Sequence, residues 1–280
     1  MTHHNLTDDS AAVETSTDKL ETDKLEADKL EADKLEADEL KAEILKRVAE
    51  RDKDPIRQKI TLLDDQLMPL FEALARLNQV ADTKQQMPLM QGLWYSYWST
   101  IPFQDILPGR IHQQSYQIFS DNGLYANLAR YRPGHKQPFF NFISKFLLSY
   151  DLMILQTYAI PQTADTSQPL EPAQVLHQWD IENVGIKQRL KIGPAPLDAE
   201  QANEWFRQAI AQYQQRSDKQ EALAMPTKGI NNRTRKRYEK VYKARPQLEH
   251  LYIDANFRLV KSVREQNQRP SYTIAVRQLP

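Results

Sequence analysis

The residues of this sequence that are best suited to chemistry are the cations of one short segment, KGINNRTRKRYEKVYKARP, residues 228–246. The segment carries eight basic side chains against one acidic residue, Glu239. It can contact anionic lipid head groups, where each cation contributes about 1 kcal/mol, or nucleic-acid phosphates. An ordinary solvated surface is our first interpretation, a membrane contact the second and a nucleic-acid contact the third. The candidates for membrane contact are Arg235, Lys236, Arg237, Lys240 and Lys243.

The other reactive residue types form no catalytic pattern. The six histidines show no metal-ligand spacing, and the chain has no cysteine, which removes disulfides, thiolate nucleophiles and cysteine metal sites together. The sequence also lacks a Gly-x-Ser-x-Gly motif, a phosphate-binding P-loop and a dinucleotide fingerprint. Its paired carboxylates fall mainly in a charged repeat, where solvation leaves them unperturbed. We therefore predict a protein that is not an enzyme and that needs no metal ion or cofactor.

The charge of the chain is divided unevenly along its length. Residues 1–54 hold 17 of the 37 acidic and 9 of the 37 basic side chains, which leaves 20 acidic and 28 basic in the remainder. This asymmetry favours either an electrostatic association between the two parts or a basic surface that binds an anionic partner. The longest uncharged apolar stretch, residues 152–164, is shorter than the roughly 20 residues that cross a bilayer. The first residues lack the features of a signal peptide, so we expect a cytoplasmic location without a transmembrane segment.

The N-terminal region is built from a repeated pentapeptide. Residues 17–41 read TDKLE TDKLE ADKLE ADKLE ADELK. A step of five residues turns each leucine about 140° around a helix, so the leucines form no apolar stripe of the kind a coiled coil requires. We predict an extension over residues 1–42 that is a solvated helix or disordered, and we prefer a spacer to a docking element.

The elements that follow the repeat change from helical to β-like. Apolar residues at helical spacing predict amphipathic helices over residues 43–85, with a break near Asp54 and Pro55. From residue 86 the chain shows many short alternating segments, one internal helix starting near Asp198, and no βαβ alternation. This pattern favours a closed or nearly closed antiparallel barrel over residues 86–280, with a basic insertion at residues 226–246.

One stretch near the start of the barrel region, GLWYSYWSTIPFQDILPGR, residues 92–110, is unusually aromatic. Strand alternation would place Trp94, Ser96 and Trp98 on one face and the neighbouring aromatic residues on the other. Both faces then carry large rings, so both must meet apolar surroundings.

Several motifs in order resemble the plastid lipid-associated protein (PAP/fibrillin) family, in particular its cyanobacterial members. The runs LKAEILKRVAERD, LFEALARLN and LMQGLWYSYWST are similar to the helical start, the Leu-Asn pair and the Gly-x-Trp of that family. The run LYIDANFRLVKSVREQNQRPSYTIAVR resembles its closing pattern, and FQDILPGRIHQQSYQIF and WDIENVGIKQR are similar to cyanobacterial sequences. The resemblance covers residues 40–280 and omits the pentapeptide repeat.

The resemblance implies a lipocalin-like barrel that holds or organises hydrophobic molecules at thylakoid membranes or lipid bodies, without an agreed catalytic residue. It places Gly92 and Trp94 at the barrel entry, where Trp94 is a structural plug with Arg277 stacked on its indole ring. Asp254 and Arg258 match the closing motif and are expected to fix a turn as a hydrogen-bonded pair.

Other inward candidates line a ligand pocket or simply fill the core, and core packing is the first interpretation. Asn127 suggests an inward hydrogen bond, although it could equally face solvent. The pocket candidates are Trp98, Tyr116, Phe119, Tyr125 and Asn127.

Our leading hypothesis is a non-enzymatic protein that binds a hydrophobic molecule or lipid. The alternative is a scaffold with a packed barrel, which binds a protein partner through its N-terminal helices and supports a membrane-peripheral or isoprenoid-synthesising complex. An enzyme acting on a lipid or isoprenoid is the third hypothesis.

Overall fold

The computed structural model of the protein describes residues 10–80, 82–101, 110–133, 148–159, 178–193, 195–215, 246–263 and 268–278. Eight antiparallel strands close into a barrel in chain order, and the first strand pairs with the last. The predicted mainly-β, lipocalin-like barrel with preceding helices and one internal helix is confirmed. The strands are β1 Gly92–Ser99, β2 Arg110–Phe119, β3 Leu124–Pro133, β4 Leu148–Ala159, β5 Gln178–Ile192, β6 Gln247–Ile253, β7 Phe257–Val263 and β8 Ser271–Arg277.

In the described residues, helices precede the barrel and one helix interrupts it. Pro55 caps the start of the second helix, so the break predicted near Asp54 is confirmed. Asp198 accepts a hydrogen bond from the backbone N–H of Gln201 at 2.6 Å and so caps the internal helix, as its sequence predicts. The helices are α1 Ser10–Val48, α2 Ile56–Leu62, α3 Met68–Arg76, α4 Thr83–Met90 and α5 Ala199–Gln214, with a π-helical turn Leu63–Leu67 between α2 and α3. No helix in the described part of the chain has an apolar stretch long enough to span a bilayer.

Helix α1 divides into an exposed arm and a packed end. Leu25 and Leu35 are 69% and 64% exposed, because the five-residue repeat gives the helix no continuous apolar face. Burial begins at Ala37 and continues at Ile44 and Val48. The helix therefore runs without a break across residue 42, where the sequence suggested a boundary, and its packing starts five residues earlier.

The barrel wall is covered by helices on its outer face. Helices α1, α2 and α3 pack on the outer face of β1, β6, β7 and β8, where Phe71 lies against Tyr272. Helix α5 packs on β1 to β4 through Ala202, Phe206 and Ala209. A separate cluster fills the inside of one barrel end, with Trp94, Phe119 and Trp179 among its buried members. Both faces of much of the sheet are therefore buried.

Helix α4 closes that end of the barrel, and Trp94 holds it there. The indole Nε1 of Trp94 donates a hydrogen bond to the carbonyl oxygen of Met90 at 2.8 Å. Arg277 donates to the carbonyl oxygens of Leu89 and Gln91 at 2.5 and 2.6 Å. Its guanidinium carbon lies 4.2 Å from the centre of the indole ring, so the predicted stack of Arg277 on Trp94 is confirmed.

Gly92 gives this closure a tight backbone constraint. It has φ +103°, and a Cβ there would lie 2.9 Å from Nη1 of Arg277. Gly193 has a nearly identical φ of +102° with no atom within 4 Å of an added Cβ. A comparison of alanine substitutions at the two glycines therefore distinguishes the free-energy cost of a left-handed backbone from the cost of displacing Arg277.

We predict that Gly92→Ala lowers the free energy of unfolding more than Gly193→Ala does. Gly193→Ala carries only the backbone cost, about 1 to 2 kcal/mol, whereas Gly92→Ala also displaces the guanidinium group of Arg277. Urea unfolding of both variants measures the difference. Equal losses of unfolding free energy in the two variants would show that displacing the Arg277 guanidinium group has no measurable cost.

Candidate functional site

The five predicted pocket residues separate onto two faces of the wall. Phe119 and Tyr125 lie inside the barrel, where their rings stack with centres 4.5 Å apart. Asn127 also faces inward, because it pairs with Gln117 on the same face of the sheet. Trp98 and Tyr116 lie on the outer face, so their assignment to a pocket is wrong.

Trp98 faces outward because β1 contains a bulge. Ser96 pairs with Ala275 and Trp98 pairs with the next residue of β8, Ile274, so one residue of β1 has no opposite partner. The extra residue reverses the alternation of faces after Ser96. Trp98 is fully buried among the residues of α1 to α3, and Nζ of Lys59 lies 5.9 Å from its ring centre.

Tyr116 faces outward because strand alternation requires it. Tyr116 and Phe119 are three residues apart on a regular stretch of β2, so they cannot share a face. The hydroxyl of Tyr116 donates a hydrogen bond to the carbonyl oxygen of Leu197 at 3.1 Å, just before α5. Tyr116 therefore anchors α5 to the wall.

A chain of polar side chains crosses the barrel interior. It begins at the closing helix α4, where Oε1 of Gln86 accepts a hydrogen bond from Nε1 of Trp179 at 3.1 Å. The same oxygen lies 3.0 Å from Nδ1 of His250. On the far side of the imidazole, Nε2 lies 3.2 and 3.0 Å from Nε and Nη2 of Arg258.

The chain continues from Arg258 to the opposite wall. Nη1 of Arg258 makes a long contact of 3.5 Å with Oε1 of Gln117. The Gln117 amide donates to Oδ1 of Asn127 at 3.2 Å. The amide of Asn127 in turn donates to the hydroxyl of Tyr125 and to Oε1 of Gln156, at 2.5 and 2.7 Å. The inward hydrogen bond expected of Asn127 is present.

These contacts fix the protonation state of His250. A guanidinium group only donates hydrogen bonds, so Nε2 of His250 must be the unprotonated acceptor. Nδ1 then carries the proton and donates to Gln86. Complete burial, followed by the charge of Arg258, holds the pKa of His250 well below its usual range. The imidazole is therefore neutral in the folded protein at pH 7.

Arg258 is a fully buried cation held among aromatic rings and neutral polar groups. Its guanidinium carbon lies 4.5 Å from the ring centre of Phe119 and 5.0 Å from that of Trp94. Burial lowers the pKa of Arg258 to about 9, a nearby Tyr125 raises it and Arg277 lowers it. No described carboxylate forms an ion pair with Arg258. The side chain therefore carries its charge at pH 7 without a counter-charge from the described residues.

The predicted pair between Asp254 and Arg258 is not formed. Asp254 does fix the turn between β6 and β7, because its Oδ1 accepts from the backbone N–H groups of Asn256 and Phe257, both at 2.7 Å. Its other oxygen binds Nζ of Lys41 in α1 at 2.6 Å. Arg258 is paired across the sheet with Ile253 on the inward face, which directs its side chain into the barrel and away from the turn.

The half of the barrel away from α4 has a different wall. On one side of the interior, starting level with Arg258, the inward residues of β8, β1, β2 and β3 form a small-residue wall of buried side chains: Ser96, Ser99, Ser115, Ala129, Thr273 and Ala275. Other inward residues of this half are large, namely Leu152 and the stacked rings of Tyr131 and Tyr150. Ser115 Oγ is buried and has no hydrogen-bond partner among the described residues. At the rim, Leu190 and Ile192 of β5 are 69% and 80% exposed. Large rings therefore occupy the closed end, whereas the rest of the interior has small side chains on one side and large ones, including Tyr131 and Tyr150, on the other.

An ionic cluster on the outer face of the barrel was not predicted from the sequence, and it can be compared with the buried cation Arg258. Arg130 and Asp151 are almost fully buried and form two hydrogen bonds of 2.7 and 3.0 Å. Arg189 binds the same carboxylate at 2.8 Å and lies over the ring of Trp205 in α5. The three residues pair across β3, β4 and β5, so only the strand register could have revealed them.

The described residues contain no cluster of metal ligands and none of the predicted membrane-contact residues. Within them, no three His, Asp or Glu side chains converge as metal ligands. The membrane-contact candidates Arg235, Lys236, Arg237, Lys240 and Lys243 lie outside the described residues.

Comparison of the chain with protein-family models and with curated proteins found no match.

We predict that the neutral His250 makes stability depend on pH. The unfolded chain binds a proton at this residue below pH 6.5, whereas the folded protein does not, so stability falls as the pH falls. Between pH 7 and pH 5.5 the loss should be about 1 kcal/mol. Urea unfolding at both pH values measures it, with His250→Gln as the control that lacks the ionisable group. The same loss in that variant would contradict the assignment.

Proposed function

We propose that this protein is a non-enzymatic barrel that binds a hydrophobic molecule, such as an isoprenoid, quinone, carotenoid or glycolipid, and holds it at the periphery of the thylakoid membrane. The ligand classes and the location follow from the resemblance of its motifs to the PAP/fibrillin family. Peripheral contact with anionic lipids through the basic segment 228–246 belongs to the same proposal, whereas nucleic acid is not a partner in it.

The change in side-chain size along the inner wall is the observation that carries the proposal. Trp94, Phe119 and Trp179 pack the closed end, where α4 covers it. From the level of Arg258 toward the other end, buried serine, alanine and threonine side chains line one side of the interior on four adjacent strands, and Tyr131 and Leu152 lie on the other side. An eight-stranded barrel has room for its own side chains or one small ligand, and small inward residues leave more of that room to a ligand.

The exposed rim supports the same proposal. Leu190 points to the inner side of β5, because it pairs with Tyr150 on that face, and Ile192 lies two residues further along the same face. Exposed apolar side chains at a rim provide a contact for a hydrophobic molecule that enters the barrel.

We predict that organic extraction of the purified native protein releases a hydrophobic compound in near-stoichiometric amount, identified by mass spectrometry. Ser96→Leu, which fills the inner wall, should reduce the yield several-fold. Tyr95→Leu changes the adjacent residue on the outer face and should not. An empty native protein that also binds no hydrophobic fluorescent probe would overturn the proposal, and an unchanged yield in Ser96→Leu would place the ligand elsewhere.

A scaffold is the second candidate function, and the exposed arm of α1 favours it. The described part of the arm, residues 22–36, projects from the barrel with its leucines in solvent. A helix that is so charged and so weakly packed contributes little to the barrel, whereas it can carry a protein partner or act as a spacer.

We predict for this candidate that deletion of residues 1–35 abolishes recovery of a cross-linked partner and leaves the melting temperature within about 2 °C, because packing starts at Ala37. The matched comparison is Ile44→Ala in the full chain, which should lower the melting temperature by several degrees and retain the arm. Equal partner recovery with and without residues 1–35 would exclude the arm as the binding element.

A further inference from the structure

We infer that the molecule bound by the barrel carries a carboxylate, and that this carboxylate pairs with Arg258 while the hydrophobic chain lies along the small-residue wall. The inference rests on the proposed function and adds the chemical class of the ligand. It depends on three observations: the charge of Arg258, its hydrogen-bonding capacity and its position in the barrel.

The charge of Arg258 requires compensation that the described residues do not provide. The side chain is fully buried, and transfer of a cation into a protein interior is costly unless it is paired. Its partner His250 must accept hydrogen bonds from it and is therefore neutral. The rings of Trp94 and Phe119 offset part of the cost through cation–π contacts. One positive charge remains, and a monoanion would neutralise it.

The hydrogen-bonding capacity of Arg258 is only partly used. A guanidinium group has five N–H donors. In Arg258, two of them converge on the single nitrogen Nε2 of His250, and a third reaches Gln117 at the long distance of 3.5 Å. A carboxylate oxygen would make a shorter and stronger bond than the Gln117 amide does, because both partners would then be ionised and a carboxylate can accept two parallel N–H bonds.

The buried hydroxyl of Ser115 supplies a second polar group without a partner. In the part of the chain that the structure describes, its Oγ has no hydrogen-bond partner although it is buried. Ser115 lies two residues from Gln117 on the same inward face of β2. The site therefore combines spare guanidinium donors with a spare hydroxyl on the wall beside them.

The position of Arg258 sets the orientation of the ligand. Arg258 pairs with Ala275, and the inward residues that follow toward the open half are Val260 and Thr273. Trp94, Phe119 and the C-terminal end of α4 lie on the other side, while Val260 still packs in the aromatic cluster. A carboxylate at Arg258 therefore directs an attached chain toward the small-residue wall and the exposed rim.

A planar carboxylate fits this site better than a phosphate does. The guanidinium fork matches the two oxygens of a carboxylate, and one carboxylate supplies the single negative charge that the site lacks. A phosphate group carries up to two negative charges, for which the described residues of the interior offer one buried cation, Arg258. A neutral ester or alcohol leaves the charge of Arg258 uncompensated.

The test compares two fluorescent probes with the same hydrocarbon chain, cis-parinaric acid and its methyl ester, on the full-length protein. We predict that the acid binds at least about tenfold more tightly, which corresponds to about 1.4 kcal/mol. Arg258→Met should reduce this ratio to about one, because it removes the charge and keeps an unbranched side chain. Lys261→Gln is the matched control: it removes a cation from the outer face of the same strand and should keep the ratio.

The outcomes distinguish this inference from the proposed function. Equal affinity of the acid and the ester for the unmodified protein would overturn the carboxylate and leave a hydrophobic-ligand barrel standing. Failure of both probes to bind, together with an empty extract, would overturn the proposed function itself. A tenfold preference that survives in Arg258→Met would place the anion elsewhere. If Arg258→Met does not fold, the test uses the unmodified protein and Ser115→Val instead. A tighter binding of the acid than of the ester in the unmodified protein, lost in Ser115→Val, would support the carboxylate, and its retention in Ser115→Val would contradict this site.

Discussion

The contacts around Trp94 are the constraint on which the rest of the barrel interior depends. The last carbonyl groups of a helix have no partner within it, and in α4 those of Leu89 and Met90 are bound by Arg277 and by the Trp94 indole. Cations at this end also complement the helix dipole. Because two strands hold the end of α4 in this way, Gln86 of α4 is positioned inside the barrel, where it contacts His250. The orientation of Arg258 follows from that contact.

The covering helices explain why the barrel interior can be polar. In a barrel whose outer face meets water, alternation places apolar residues inside and polar residues outside. Here α1 to α3 and α5 bury much of the outer face, which is therefore apolar and rich in aromatic residues. Hydrophobic burial outside the barrel stabilises the fold, and the interior is freed for glutamine, asparagine, histidine and arginine side chains. Both faces of β1 are aromatic for this reason, as its sequence required.

The parts of the site that could be predicted are those with local signals. The Gly-x-Trp motif at Gly92, together with an arginine near the end of the last strand, indicated the stack of Arg277 on Trp94. Tyr116 and Phe119 are an odd number of residues apart on one strand, so the sequence already implied that they lie on opposite faces. The bulge in β1 had no such signal, because it depends on the register with β8. The interior chain could not be predicted either, since Gln86 and His250 are 164 residues apart and meet only when the barrel closes.

The outer ionic cluster shows how this chain treats a buried cation whose role is structural. Arg130 is as deeply buried as Arg258, and the chain supplies Asp151 as its partner with two hydrogen bonds. Inside the barrel no described residue does the same for Arg258, and the nearest polar groups are a neutral imidazole and a distant amide. Apolar residues of similar volume could fill that position without the cost of desolvating a charge. A buried cation beside an unpaired hydroxyl is therefore better explained as half of an ion pair whose other half arrives with the ligand.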